Sequence, residues 1–184
     1  MKALEVLLET MVDVKNGLIV LTGEVNQEMY LHLSRSLMVL GLTNLEYDEI
    51  KILINTYGGD LYQALAIYDL IRRQPMKTIT QCVGLVMSAG TIILQAGDER
   101  LMTPRSYLMY HFGSQTAESS QCVAHYNDLT KDMKEIYKER SQINPRVVNS
   151  WFSKDTYYTA KDALKYGLID RIAEYESKED ANGK

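Results

Sequence analysis

The chain has little cysteine, proline or non-tyrosine aromatic: its 184 residues include two Cys, three Pro, two Phe and one Trp. Cys82 falls in a strand-like run and Cys122 in a helix-like one, with no CxxC pairing, so the pattern points to two reduced thiols. Neither a disulfide nor a thiolate metal site is implied on that count. No stretch rich in proline, glycine or serine divides the chain, and the length fits one domain, residues 1–184, that can bury a sizeable core. Nor is there a basic stripe. The formal charge is −4 and the Lys and Arg residues are scattered, which argues against a nucleic-acid partner. Long apolar runs are missing too: Glu5, Glu9 and Asp13 interrupt the N-terminal segment, which therefore reads as neither a secretory signal nor a membrane span. The expectation is a cytoplasmic protein with no membrane partner.

What is present is a repeated alternation of short apolar runs and amphipathic stretches. Gly17–Val25 is rich in β-branched residues and gives way at Asn26, a good helix cap, to a stretch in which Met29, Leu33, Leu37 and Leu40 recur at helical spacing up to Gly41. Ile50–Asn55 predicts a second strand, Gly58-Gly59 a sharp loop, and Asp60 the cap of a helix that buries Ala64, Ile67, Tyr68 and Ile71 and stops before Pro75. Lys77–Val83 predicts a third strand, followed by a turn at 84–90 and a short helix, Thr91–Ala96, apolar almost all round and so buried. Two further strands are expected at Arg100–Thr103 and Tyr107–Tyr110. A long amphipathic helix over Glu118–Ile143, a short one from Asn144-Pro145 to Phe152, a capped one over Thr159–Gly167 and a last strand at Leu168–Ala173 complete the pattern. Residues 1–16 form a short leading segment and 174–184 a charged, frayed tail. Alternating strands and helices predict an α/β domain.

Three positions carry candidate chemistry. Gly84-Leu85-Val86-Met87-Ser88-Ala89-Gly90 presents one serine at a strand-to-helix turn, where unpaired N–H groups stabilise an anion, as an acyl-transfer nucleophile requires. The competing reading of Ser88 is a plain helix N-cap. A serine nucleophile needs a base. Of the three histidines, His32 and His125 lie in amphipathic helices among polar neighbours and read as solvated, whereas His111 ends a strand and meets a Gly-containing loop. A carboxylate must then orient the imidazole, and spacing alone leaves Asp155, Asp98, Asp162 and Asp170 all open. The paired glycines after Thr56-Tyr57 allow close backbone approach and could aim N–H groups into a cleft. With no GxGxxG and no Lys-Ser/Thr after them, a phosphate cradle is the weaker reading.

In this order, strand-Gly-Gly, serine turn and strand-His, the chain resembles the ClpP family, the proteolytic subunits of the Clp proteases, from about Gly17 to Ala173. The pieces that carry the resemblance are Leu21-Thr22-Gly23-Glu24-Val25, Ile54–Gly59, Ala66-Ile67-Tyr68-Asp69, Gly84–Gly90, Tyr110-His111, Asp155–Ala160 and Tyr166–Asp170. The resemblance implies a ClpP/crotonase-like α/β fold of repeated strand-strand-helix units with a protruding handle helix, here Glu118–Ile143. It implies a serine endopeptidase with Ser88 as nucleophile, His111 as general base and then acid, and Asp155 as the orienting carboxylate. The N–H groups of Gly59 and Ala89 would form the oxyanion hole, with no cofactor and no metal. Its implied partners are copies of itself, in heptameric rings stacked in pairs into a tetradecamer, polypeptide substrates, and a hexameric AAA+ unfoldase in which any ATP hydrolysis resides. The chain departs from the family pattern in having Thr56-Tyr57 where Ser-Pro is usual and Leu85-Val86-Met87 where Gln-Ala-Ala is usual. Lys51, Arg73 and Gln81 stand where an apolar docking pocket for the ATPase would lie. Two other readings share parts of this pattern: a crotonase-type acyl-CoA enzyme, which has paired N–H donors but no serine triad, and an inactive or regulatory ring subunit.

Overall fold

A computed structural model describes residues 11–43, 46–111 and 120–175, with backbone only for 120–126. One eight-stranded sheet organises them: strands β1 (Val12–Asp13), β2 (Leu18–Val25), β3 (Glu49–Gly59), β4 (Lys77–Met87), β5 (Glu99–Met102) and β8 (Arg171–Ile172) follow one another across it. β2 through β5 and β8 are parallel, while β1 runs antiparallel along the outer side of β2. The sheet forks at β4. Ile79–Cys82 of β4 pair with β5, but Leu85–Met87 pair instead with β6 (Tyr107–Tyr110), which in turn pairs antiparallel with β7 (Thr156–Thr159). Gly84 lies at the fork, its N–H donating to the Ser106 hydroxyl at 2.8 Å.

The helices α1 (Gln27–Gly41), α2 (Leu61–Arg72), α3 (Gly90–Gln95), α4 (Ser120–Arg140), α5 (Pro145–Ser150) and α6 (Ala160–Lys165) supply the other layers. Asn26 caps α1, its side chain accepting from Met29 N–H at 3.0 Å, and Asp60 caps α2 through Gln63 N–H. Thr159 and Asp162 form a reciprocal capping box on α6. Met29, Leu33 and Leu40 of α1, Ala64, Ile67 and Ile71 of α2, and Ile50, Ile52 and Ile54 of β3 are buried in one core. All six residues of α3 are buried, as its all-round apolar sequence requires. Beneath it, the buried Arg100 guanidinium pairs with Asp170 through Nε (2.9 Å) and Nη2 (2.6 Å) and donates to Gln95 Oε1 at 2.6 Å, joining β5 to the segment before β8.

Several boundaries differ from the sequence expectation. β3 and β4 do not end at Asn55 and Val83; each continues through its glycines to a length of 11 residues, because those glycines bend the strand rather than break it. The β3–β4 register slips around Gly84, Ile54 facing Cys82 but Thr56 facing Val86. The strand expected at Leu168–Ala173 shortens to Arg171–Ile172, and Gly41 falls inside α1, with Leu42 as the C-cap. β1 carried no sequence signal long enough to read. His32 is half-buried rather than solvated, and its Nε2–H donates to the Val20 carbonyl at 3.0 Å. His125 and the start of the expected Glu118–Ile143 helix lie outside the described side chains. Among the described residues, no helix is long and apolar enough to cross a membrane.

Candidate active site

Parallel pairing brings the first two candidates to one edge of the sheet. Met87 of β4 faces Met109 of β6, so Ser88 leaves the sheet one residue after that pair and His111 two residues after it, in the same direction. The Ser88 N–H donates to the Met109 carbonyl at 2.9 Å, tying the serine turn to the strand that carries the histidine. Antiparallel pairing delivers the third. Tyr110 faces Thr156, which sets Asp155 opposite His111, and the His111 Nδ1 lies 3.3 Å from Asp155 Oδ1. Both side chains are open to solvent, at 42% and 57% exposure. Among the described residues no hydrogen bond joins the Ser88 hydroxyl to His111.

The three competing aspartates are engaged elsewhere. Asp98 accepts from Arg72 Nη1 at 2.8 Å and from the Thr78 N–H and hydroxyl, which together hold its carboxyl below the ordinary value although burial pushes the other way. Asp162 belongs to the α6 capping box and Asp170 to Arg100. The partners of Asp98 and Asp170 come from elements distant in sequence, which spacing along the chain does not reveal, whereas the Asp162 box is local.

Ser88 is not the cap of α3. The cap position is Ala89, without a side-chain cap bond, and Ser88 itself adopts φ +52°, a left-handed conformation that costs an L-residue about 1–2 kcal/mol. A strained, half-exposed serine between a strand and a helix is a geometry associated with function rather than with capping. Against it packs Gly58, at φ +99°. A Cβ added there would lie 2.7 Å from Ser88 Cβ, 2.8 Å from the Met87 carbonyl oxygen and 3.2 Å from the Ala89 nitrogen, so only glycine permits this approach. Gly59 follows, and Asp60, not Gly59, donates its N–H to the Val25 carbonyl.

Thr56, which the sequence marks only as a departure before the paired glycines, organises this contact. Its hydroxyl donates to the Gly23 carbonyl at 2.6 Å and accepts from the Gly58 N–H at 3.0 Å, while its methyl packs where a Gly90 side chain would otherwise be. One buried side chain thus holds the glycine loop against the serine turn. A second organiser is aromatic. Tyr110 stacks on Trp151 at 4.1 Å, Tyr137 and Tyr158 meet these rings edge-on, and Trp151 Nε1–H donates to Tyr158 Oη at 3.1 Å. Tyr110 immediately precedes His111 and Tyr158 follows Asp155 by three positions, so the cluster stiffens both strands next to the ion pair. Burial raises the phenols of Tyr110 and Tyr158, keeping them neutral. Among the described residues, no group of three or more His, Cys, Asp or Glu side chains converges to hold a metal ion.

Comparison with known proteins agrees on one family. The family described as Clp protease matches residues 7–176 of the chain. The ATP-dependent Clp protease proteolytic subunit of Deinococcus radiodurans is 31% identical over 179 residues, covering 92% of this chain and 86% of that protein. The ATP-dependent Clp protease proteolytic subunit 1 of Leifsonia xyli is 29% identical over 170 residues, covering 87% and 84%. Among solved structures, a point mutant of ClpP1 from Listeria monocytogenes superposes with a TM-score of 0.78 over 88% of this chain and 94% of that one, at 23% identity, a likeness of fold.

Proposed function

The chain belongs to the Clp protease family, and from that premise we propose that it hydrolyses peptide bonds by acyl transfer through Ser88, His111 and Asp155. The observation that carries the reading is the 3.3 Å approach of His111 Nδ1 to Asp155 Oδ1 at the strand edge from which the strained Ser88 also emerges. With Nδ1–H held by the carboxylate, the imidazole presents Nε2 as the base that takes the Ser88 proton as the oxygen attacks the substrate carbonyl. The N–H groups of Gly59 and Ala89 stabilise the resulting oxyanion, which is the larger part of catalysis in such sites. His111 then gives its proton to the leaving amine, and water, activated by the same imidazole, releases the acyl group and restores the Ser88 hydroxyl.

In this reading the functional unit is an oligomer of this chain, two heptameric rings stacked face to face through α4, that encloses the sites and admits unfolded polypeptide. A separate hexameric AAA+ unfoldase would supply ATP-driven delivery. Val86 of the unusual Leu85-Val86-Met87 run is fully buried in β4, so that departure from the family pattern removes no reacting group.

A fluorophosphonate probe followed by intact mass and peptide mapping tests the chemistry. Wild type should gain one adduct, on Ser88, and Ser88→Ala none; equal labelling of the two would overturn the assignment. Hydration or hydrolysis of an acyl-CoA with no peptide cleavage would instead identify a crotonase-type enzyme.

A further inference from the structure

The Ser88 carbonyl is held from one side by a single residue, twice. It accepts the Thr91 N–H at 2.9 Å and the Thr91 hydroxyl at 2.6 Å. A threonine hydroxyl carries one proton, so once that proton points at Ser88 the oxygen is free only to accept. The Tyr137 hydroxyl stands 2.6 Å away and is therefore the donor. Thr91 and Tyr137 are both fully buried, so no bulk water competes for either bond. Burial also pushes the Tyr137 phenol well up, against the opposing effect of its bond to Thr91, and it stays a donor throughout the working pH range. The result is a directed chain of two hydrogen bonds, from the last turn of α4, through α3, to the main chain of the serine turn.

The consequence lies in the peptide plane. The Ser88 C=O and the Ala89 N–H belong to one planar trans unit and point in opposite directions. Fixing the carbonyl oxygen on one side of this plane fixes the Ala89 N–H on the other, and the Ala89 nitrogen lies beside Gly58, 3.2 Å from where a Cβ there would stand. Because Ser88 already holds a strained φ, weakening the hold on its carbonyl favours rotation of this plane.

We infer that Thr91 and Tyr137 are positioning residues for the acyl-transfer reaction: through the Ser88 carbonyl they aim the Ala89 N–H at the developing oxyanion. This rests on the reading of Ser88 as nucleophile. Neither residue touches substrate. An oxyanion donor acts in the transition state more than in the ground state, so loss of its aim lowers kcat and leaves KM nearly unchanged.

The test compares Thr91→Val, which keeps shape and removes the hydroxyl, Thr91→Ser, which restores a hydroxyl, Tyr137→Phe, and the Val/Phe double variant. The readouts are kcat and KM on a fluorogenic peptide, the rate of Ser88 labelling by a fluorophosphonate, and the melting temperature. Thr91→Val should lose about tenfold in kcat and in labelling rate with KM within about twofold, and Thr91→Ser should recover most of that loss. Tyr137→Phe should lose about threefold, and the double variant should be no slower than Thr91→Val, because the path from the phenol to the serine turn passes through the threonine hydroxyl. A folded Thr91→Val with wild-type kcat, a loss confined to KM, or fully additive losses in the double variant would overturn the inference. Should Thr91→Val not fold, an unchanged kcat in Tyr137→Phe overturns it equally. Labelling of wild type at Ser88 alongside an unaffected Thr91→Val rejects the clamp alone, whereas absence of any Ser88 adduct in wild type rejects the nucleophile and the clamp with it.

Discussion

Replacing Gly58 by alanine separates two costs that are usually entangled. At φ +99° any Cβ incurs backbone strain of about 1–2 kcal/mol. At this position the methyl would also sit 2.7 Å from Ser88 Cβ and 2.8 Å from the Met87 carbonyl oxygen, against an ordinary carbon–carbon contact of about 3.7 Å. Relief of that overlap moves the serine turn or the glycine loop by about 1 Å, an overpacking cost of about 1–3 kcal/mol. A displacement of about 1 Å between nucleophile and substrate-holding groups costs about 100-fold in rate. Gly23→Ala is the matched control, because Gly23 has nearly the same φ, +95°, and an added Cβ meets nothing within 4 Å. It should lower the melting temperature through strain alone and leave the fluorophosphonate labelling rate of Ser88 near wild type. Gly58→Ala should melt lower still and lose about 100-fold in both labelling rate and kcat/KM. If Gly58→Ala labels at the wild-type rate, or if Gly23→Ala loses as much as Gly58→Ala, the packing of the glycine loop on Ser88 is not what sets reactivity.

Asp155→Asn should fold as wild type yet lose about 10²- to 10⁴-fold in kcat, because an amide no longer holds the His111 Nδ1–H tautomer; a smaller loss would remove Asp155 from the mechanism. Acid should destabilise the fold through Asp170 and Asp98. Burial raises each carboxyl, but hydrogen bonds from Arg100, and from Thr78 and Arg72, lower it further. Their folded values lie below the ordinary value of about 3.9, so their stabilisation is complete above that pH and disappears as pH falls through the folded values. Melting curves should therefore be flat near neutrality and fall below about pH 4, and Asp170→Asn should flatten the fall; an unchanged acid slope in that variant refutes the assignment. Tyr110→Phe should melt at or above wild type, since the Tyr110 hydroxyl is buried with no hydrogen-bond partner among the described residues and its removal discards a desolvation cost; a drop of several degrees would reveal a partner. If neighbouring copies complete the site, dilution to verified monomer should abolish peptide turnover, and a fully active monomer by mass photometry would contradict that dependence.

Helix positions were legible where the signal is local. The Asn26 and Asp60 caps and the Thr159–Asp162 box act within three residues, and the stripe of Met29, Leu33 and Leu40 names the buried face of α1 directly. Strand extents were not, because β3 and β4 are defined by partners far away in sequence. A glycine inside a strand and a glycine ending one look alike until the neighbour is known. The fork of β4 is not marked in the sequence by which strand each half pairs with, since Ile79–Cys82 and Leu85–Met87 find their partners β5 and β6 far along the chain. The site divides in the same way. Ser88 was marked by its glycine-flanked turn and His111 by the apolar run it ends, whereas the choice of Asp155 among four aspartates depends on the β6–β7 register. The amphipathic pattern of α4 places Tyr137 on its apolar stripe but does not name its hydroxyl's partner, which is Thr91 only because α4 folds back over α3.

The fork also explains why the candidate residues meet where they do. A parallel strand pair delivers its chain ends to one edge, so serine and histidine emerge together from β4 and β6, but a carboxylate must come back toward them, and only an antiparallel neighbour does that. β7 is that neighbour, and among the described residues its sole ladder partner is β6. The β6–β7 ribbon in turn reaches the body of the sheet through three residue pairs with β4. So slender a ladder needs reinforcement, and it comes from the ring cluster of Tyr110, Tyr137, Trp151 and Tyr158, which draws in α4 and α5. The helix that donates to the serine turn through Thr91 is thus the same one that packs behind the histidine and aspartate strands. Tyr137 joins both, its ring in the cluster and its hydroxyl on Thr91. A shift of α4 would therefore move the nucleophile and the base by different routes, and the alignment of the site is tied to the seating of that one helix.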